Sequence, residues 1–156
     1  SRRNEKESVM LISPSISEIL RGVTHEMGTS LKQGLNDPVK NAQIDTIIGV
    51  LSSCAVRSEN EKEWMKKEVT SILSVAKKFV SNDHSSDKIS KALKDFNSNE
   101  SDEKKYQSAS NILSLMGDLG SALGEELASE VWSLMEQRLQ HEAYIIGGGF
   151  EAAGRN

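Results

Sequence analysis

The sequence predicts an all-α protein, a bundle of five or six amphipathic helices, and three observations carry that prediction. Apolar residues recur at steps of three and four through most of the 156 positions. Several of these runs are preceded by Ser or Asp, with an acid or a proline in the next turn, which is the pattern of a helix N-terminus. The composition, 37% hydrophobic and 27% charged, is that of a folded domain, and with aromatics at only 4% the core has to be built from Leu, Ile, Val, Met and Ala. A chain of this length fits one core.

Residues 1–12 read as a flexible lead-in, 13–142 as the helical bundle domain and 143–156 as a flexible tail or the start of a following strand. The first helix starts at Ser15, whose pairing with Glu18 three residues later is a capping box, and its apolar face is Ile16, Ile19, Leu20, Val23, Met27, Leu31 and Leu35. Gly34 and Asn36-Asp37-Pro38 stop it. Asp37 then caps a second helix with Pro38 at its first position, and Ile44, Ile47, Ile48, Leu51, Cys54 and Ala55 form its stripe. Its β-branched residues would also suit a strand; the spacing and the start signal favour the helix. Ser58-Glu59-Asn60-Glu61 is a second capping box, which predicts a new helix carrying Met65, Val69, Ile72, Leu73, Ala76, Phe79 and Val80. After a polar break at 81–87 comes a short helix with Ile89, Leu93 and Phe96. Residues 96–102 are the most loop-like of the chain, and Ser101 caps the next helix, with Asp102 and Glu103 at the positive end of the helix dipole. From Tyr106 the stripe runs through Ala109, Leu113 and Met116 to Leu127, Val131, Leu134 and Met135. Gly117, Gly120 and Gly124 each weaken a helix by about 1 kcal/mol relative to Ala, so a break near 117–124 is expected. Residues 143–150 read either as a helix end with a flexible tail or as a short strand near the C-terminus.

The chemistry-bearing residues point away from catalysis. His25, His84 and His141 lie in three separate segments, none in a His-Glu-x-x-His arrangement, so no metal site is predicted. Gly147-Gly148-Gly149 lacks the Lys-Ser or Lys-Thr of a phosphate loop, and no cofactor signature stands elsewhere. Cys54 is the one cysteine, which rules out an internal disulfide, and its place on an apolar stripe predicts a buried structural thiol. The 19 basic residues are interspersed among 23 acidic ones, giving a net charge of −4 without the clustered positive footprint that nucleic acid requires. No run approaches the roughly 18–20 apolar residues of a membrane span, so direct membrane insertion by this segment is not expected. Trp64 and Trp132 each read as closing a core edge, with a partner surface as the sharper alternative. Leu113-Ser114-Leu115-Met116-Gly117-Asp118 matches the short Leu-x-x-x-Gly-Asp kernel of death-regulator helices, without the residues that should flank it. Asn99-Glu100-Ser101 is an N-glycosylation sequon in the most exposed loop, although nine asparagines make one chance sequon unsurprising.

The order of segments resembles the helical subdomain of the GAIN domains of polycystins and adhesion receptors, which overlaps the receptor-for-egg-jelly region of polycystins. The likeness spans roughly residues 39–135. It rests on Ile44-Asp45-Thr46-Ile47-Ile48-Gly49-Val50-Leu51-Ser52-Ser53-Cys54-Ala55-Val56, the long helix at 64–80, the short helix around 89–96 and Tyr106-Gln107-Ser108-Ala109-Ser110-Asn111-Ile112-Leu113, similar to that family's Ala-x-x-(Ile/Leu)-Leu opening. The resemblance implies the extracellular side of a large membrane protein. The family cleaves itself at a His-x-Ser/Thr site in a following β-subdomain, and self-cleavage is not assigned to this chain. The sequence therefore predicts a non-enzymatic structural or interaction module that binds a protein partner or forms a homo-oligomer, on the extracellular side of a membrane protein. The alternative is a cytoplasmic or viral helical protein that self-associates or binds a partner through one apolar face.

Overall fold

Ser15 starts the first helix as its sequence predicts. In the computed structural model, which describes residues 14–81 and 87–152, the Ser15 hydroxyl accepts the Glu18 N–H at 3.2 Å and the Glu18 carboxylate accepts the Ser15 N–H at 2.6 Å. That backbone hydrogen bond holds the Glu18 carboxyl below the usual carboxylate range. Helix α1 (Ile16–Glu26) then loosens into a π-helical turn, Met27–Leu31, which its even apolar spacing does not reveal. Asp37 caps α2 (Pro38–Ser81), its Oδ1 accepting the N–H groups of Val39 and Lys40 at 3.0 and 3.2 Å.

Two of the predicted boundaries are corrected. The second and third predicted helices are one helix, α2, because residues 56–62 contain neither Gly nor Pro and Arg57, Glu59, Glu61 and Lys62 are all good helix formers. Ser58 sits inside it without breaking it, its hydroxyl donating to the Ala55 carbonyl at 2.8 Å. At the C-terminus, the expected tail or strand is helix as far as Ala152, with Ala143, Tyr144, Ile145 and Ile146 continuing the helical register. The lead-in at 1–12, His84 and residues 153–156 lie outside the described residues.

The remaining elements agree with the sequence signals. Helix α3 is Asp87–Asp95, and α4 (Asp102–Leu119) is capped by the Ser101 hydroxyl, which accepts the Lys104 N–H at 3.3 Å. The glycine-rich break is a short 3-10 turn, Gly120–Leu123, before α5 (Glu125–Ala152). Gly120 and Gly124 take φ of +48° and +78°, backbone that side-chain-bearing residues rarely adopt, which is why glycine ends α4 and starts α5.

The chain divides into two compact units, with boundaries inside α2 and α5. The larger, Asn60–Tyr144, is a bundle of the second part of α2 with α3, α4 and most of α5. Its buried residues repeat one pattern: Ile72, Val75, Ala76 and Phe79 on α2, then Ala109, Ile112, Leu113 and Met116 on α4, at i, i+3, i+4 and i+7. Ile89 of α3 and Leu127 and Val131 of α5 complete the core. Each large side chain fully buried here contributes about 1.5–3 kcal/mol. The smaller unit, Ser1–Glu59 with Ile145–Asn156, contains a helical hairpin. Arg21 grips both Glu59 carboxylate oxygens at 3.0 and 3.1 Å, and Lys32 pairs with Asp45 at 2.7 Å, so α1 and the first part of α2 run antiparallel.

Candidate functional site

Within the larger unit, helical spacing brings a set of polar side chains to one place. Helix α2 contributes Trp64 and Glu68, α4 contributes Tyr106 and Ser110, and α5 contributes Arg138, His141 and Tyr144, each pair three or four residues apart and so on one face. Glu68 is the centre and is only 5% exposed. Its Oε2 accepts Tyr106 O–H at 3.1 Å and Arg138 Nε–H at 3.0 Å, and its Oε1 lies 2.9 Å from His141 Nδ1, which is assigned as the donor because a carboxylate only accepts. Arg138 also donates to the Ser110 hydroxyl at 3.0 Å and stacks 4.9 Å above the Tyr106 ring. Trp64 closes the group, parallel to the His141 ring at 4.4 Å and edge-on to Tyr144 at 5.8 Å.

A buried carboxylate needs such partners, since an unpaired charge in the interior is costly. Burial, and after it the Glu68 charge, pushes the Tyr106 phenol above its usual pKa against the opposing pull of Arg138. Both carboxylate oxygens are engaged, so the arrangement fastens three helices together. Sequence reasoning missed Glu68, Tyr106, Ser110 and Arg138 as a group. One signal was available: Glu68 falls on the apolar stripe of α2, four residues before Ile72, where a solvated charge does not belong.

The residues singled out from the sequence are dispersed. Trp64 is half-buried in the network around Glu68. Trp132 is 71% exposed, which corrects its reading as a core edge. The reason is its place on α5: the adjacent Val131 takes the inward position, and Trp132 is left beside a cavity of about 310 Å³ lined by Gly117, Asp118, Ala128 and Met135 among others. In the Leu-x-x-x-Gly-Asp kernel, Leu113 is a core residue, and a Cβ on Gly117 would stand 2.5 Å from the Met135 methyl. Packing accounts for both. Asn99 is exposed in the turn between α3 and α4, its N–H bound to Asn97 Oδ1 at 2.9 Å. His25 is exposed, and among the described residues no group of three or more His, Cys, Asp or Glu is placed to hold a metal ion. No helix among them is long and apolar enough to cross a membrane.

Cys54 is exposed, which corrects the buried thiol. The apolar surface of α2 in the smaller unit is wider than one face. Ile48, Ala55 and Val56 are buried with Ser52, whereas Ile47, Val50 and Cys54 form a second stripe, offset around the helix, with Ile47 46% and Val50 59% exposed. Residues 46–56 carry no charged side chain, and the one charge in 41–56, Asp45, is engaged by Lys32. On α1 of the same unit Ile16, Ile19 and Val23 are exposed as well. Comparison of the chain with known protein families, curated proteins and solved structures finds no match.

Proposed function

We propose that this protein is a non-enzymatic interaction module that engages a protein partner through the uncharged apolar face of α2 in its smaller unit. The observation that carries this reading is the exposed stripe Ile47, Val50 and Cys54 on a segment without a charged residue from 46 to 56. Isolated exposed apolar residues are ordinary, but a contiguous apolar stripe marks an interaction surface. The polar network around Glu68 supports the absence of catalysis, since its acceptor atoms are engaged within the fold. A photo-cross-linking residue at position 50 of the full chain, in the cells that produce it, tests the reading. Covalent protein adducts are expected there and not from the exposed polar position Gln107; equal yields from both positions would end it.

A second reading concerns location. The exposure of Asn99 in the α3–α4 turn supports the extracellular side of a membrane protein, the place implied by the resemblance to GAIN helical subdomains. The alternative is the cytoplasm. Expression of the natural full-length protein in secretory cells, with Asn99→Gln as control, decides between them. A glycosidase-sensitive mass shift lost in the variant supports the ectodomain, and unmodified native protein in the cytosol removes it.

A further inference from the structure

We infer that the cavity beside Trp132 receives the side chain of an arginine from a partner protein. The cavity, about 310 Å³, lies within the larger unit and is independent of the α2 face described above. Its two most telling lining residues are each out of place as parts of a fold. Trp132 is 71% exposed, although a tryptophan is ordinarily mostly buried, and one left at the surface beside a cavity is the usual anchor of an interface. Asp118 stands in the last turn of α4, at the negative end of the helix dipole, where a carboxylate is disfavoured and where no basic residue offsets it. Among the described residues nothing pairs with the Asp118 carboxylate, whereas Glu130 on α5 is held by Lys78 at 3.1 Å.

The charge around the cavity selects the occupant. From Tyr106 to Gln137 the chain carries five acidic residues, Asp118, Glu125, Glu126, Glu130 and Glu136, and no Lys, Arg or His. Every residue lining the cavity falls within that stretch. An anion is repelled there, and a neutral apolar side chain leaves Asp118 without a counter-charge. The remaining lining suits a cation with an apolar stem, since Ala128, Val131 and Met135 offer methyl and thioether surface. A guanidinium fits this set better than an ammonium: it stacks on an indole face and gives a carboxylate two parallel N–H bonds, whereas an ammonium is a compact, strongly hydrated point charge. The exposure of Trp132 also extends the surface past the cavity itself, so that a polypeptide around the arginine covers ring area that a free small cation leaves in water.

Titration of the full chain with the blocked tripeptide acetyl-Ala-Arg-Ala-amide, followed by the Trp132 indole N–H signal in NMR spectra, provides the test. Trp132→Phe identifies the signal. A saturable shift is expected, with a dissociation constant of about 1–10 mM, the scale of one side chain held by a ring and a carboxylate. Citrulline in place of the arginine keeps the shape, loses the charge and should bind about tenfold more weakly, and Asp118→Asn should weaken the arginine peptide by about the same factor. Asp118 is exposed, so Asp118→Asn should match the wild type in helical content by circular dichroism, and its melting temperature should not fall because a carboxylate has left the negative end of α4. A Trp132 signal unmoved up to about 50 mM peptide, equal shifts from the arginine and citrulline peptides, or binding unchanged in Asp118→Asn overturns the proposal. A lysine peptide bound as tightly as the arginine one overturns the guanidinium, and methylguanidinium bound as tightly as the peptide overturns the partner protein as its source. None of these results bears on the cross-link at position 50, so the two readings fail separately.

Discussion

Replacing Arg138 by Met removes one side of the charge pair at the centre of the larger unit while keeping an unbranched apolar stem. The variant loses the 3.0 Å bond to Glu68, the 3.0 Å bond to Ser110 and the stacking over Tyr106. Glu68 keeps Tyr106 and His141 but is left with its principal cation gone at a site where its side chain is only 7% exposed. Breaking a buried pair in this way costs about 3–5 kcal/mol, most of it the penalty of a buried charge left uncompensated. Glu68→Met should cost a similar amount by stranding Arg138, discounted because that side chain is 23% exposed and can turn its guanidinium to water. The double variant should cost less than the sum of the two, and less than Arg138→Met alone, since it strands neither charge. Urea unfolding of the full chain, tracked by the fluorescence of Trp64 and Trp132 and by circular dichroism, measures all three. Single-variant costs below about 1 kcal/mol, the scale of exposed ion pairs, would refute the reasoning, as would simple additivity in the double variant.

Met116, fully buried on α4, should cost about 2–5 kcal/mol on replacement by Ala, read as a lowered urea midpoint, and half-buried Leu73 less. Because the Tyr106 phenol titrates above its usual pKa in the fold, the folded state holds its proton where the unfolded chain gives it up. Its contribution is intact below about pH 10 and is lost as pH rises beyond that, so alkaline melting curves should fall more gently in Tyr106→Phe. Gly124 has open space around it and φ of +78°, so Gly124→Ala should cost about 1–2 kcal/mol through backbone strain alone, with Gly124→Asn milder in the same thermal melt.

Local signals were legible wherever one residue decides one backbone group. Ser15 with Glu18, Asp37 with Pro38, and Ser101 start helices where the sequence placed them, and Gly120 and Gly124 mark the break between α4 and α5. The failures have a common cause. Ser58 and Glu61 have the chemistry of a capping box, yet a cap forms only where the preceding backbone leaves the helix, and nothing in residues 56–62 makes it leave. Cys54 lies on an apolar stripe, but periodicity does not say how much of a wide stripe a neighbour covers. The place of Glu68 on an apolar stripe marks it as unlike the neighbouring surface charges Lys66 and Lys67, but its partners Tyr106, Arg138 and His141 come from positions 38 to 73 residues away, beyond the reach of local spacing.

The π-helical turn at Met27–Leu31 acts as a change of phase within the first hairpin arm. A turn that spans one residue more than its α-helical counterpart rotates everything upstream by about 100° relative to an uninterrupted helix. Successive steps of four from Val23 through Met27 and Leu31 to Leu35 would drift around an uninterrupted helix, and the turn takes that drift back, so that Leu31 and Leu35 return to the line of Ile16, Ile19 and Val23 while Arg21 meets Glu59. Deleting a single residue from this turn, Thr29 for example, would remove the excess and restore α-helical winding with Arg21 still facing Glu59, whereas rewinding the same residues as α-helix would carry Arg21 about 100° off its carboxylate. The register of that face is therefore set by how the turn is wound at a distance from it, and a change of winding there would alter what α1 displays without changing any side chain on it.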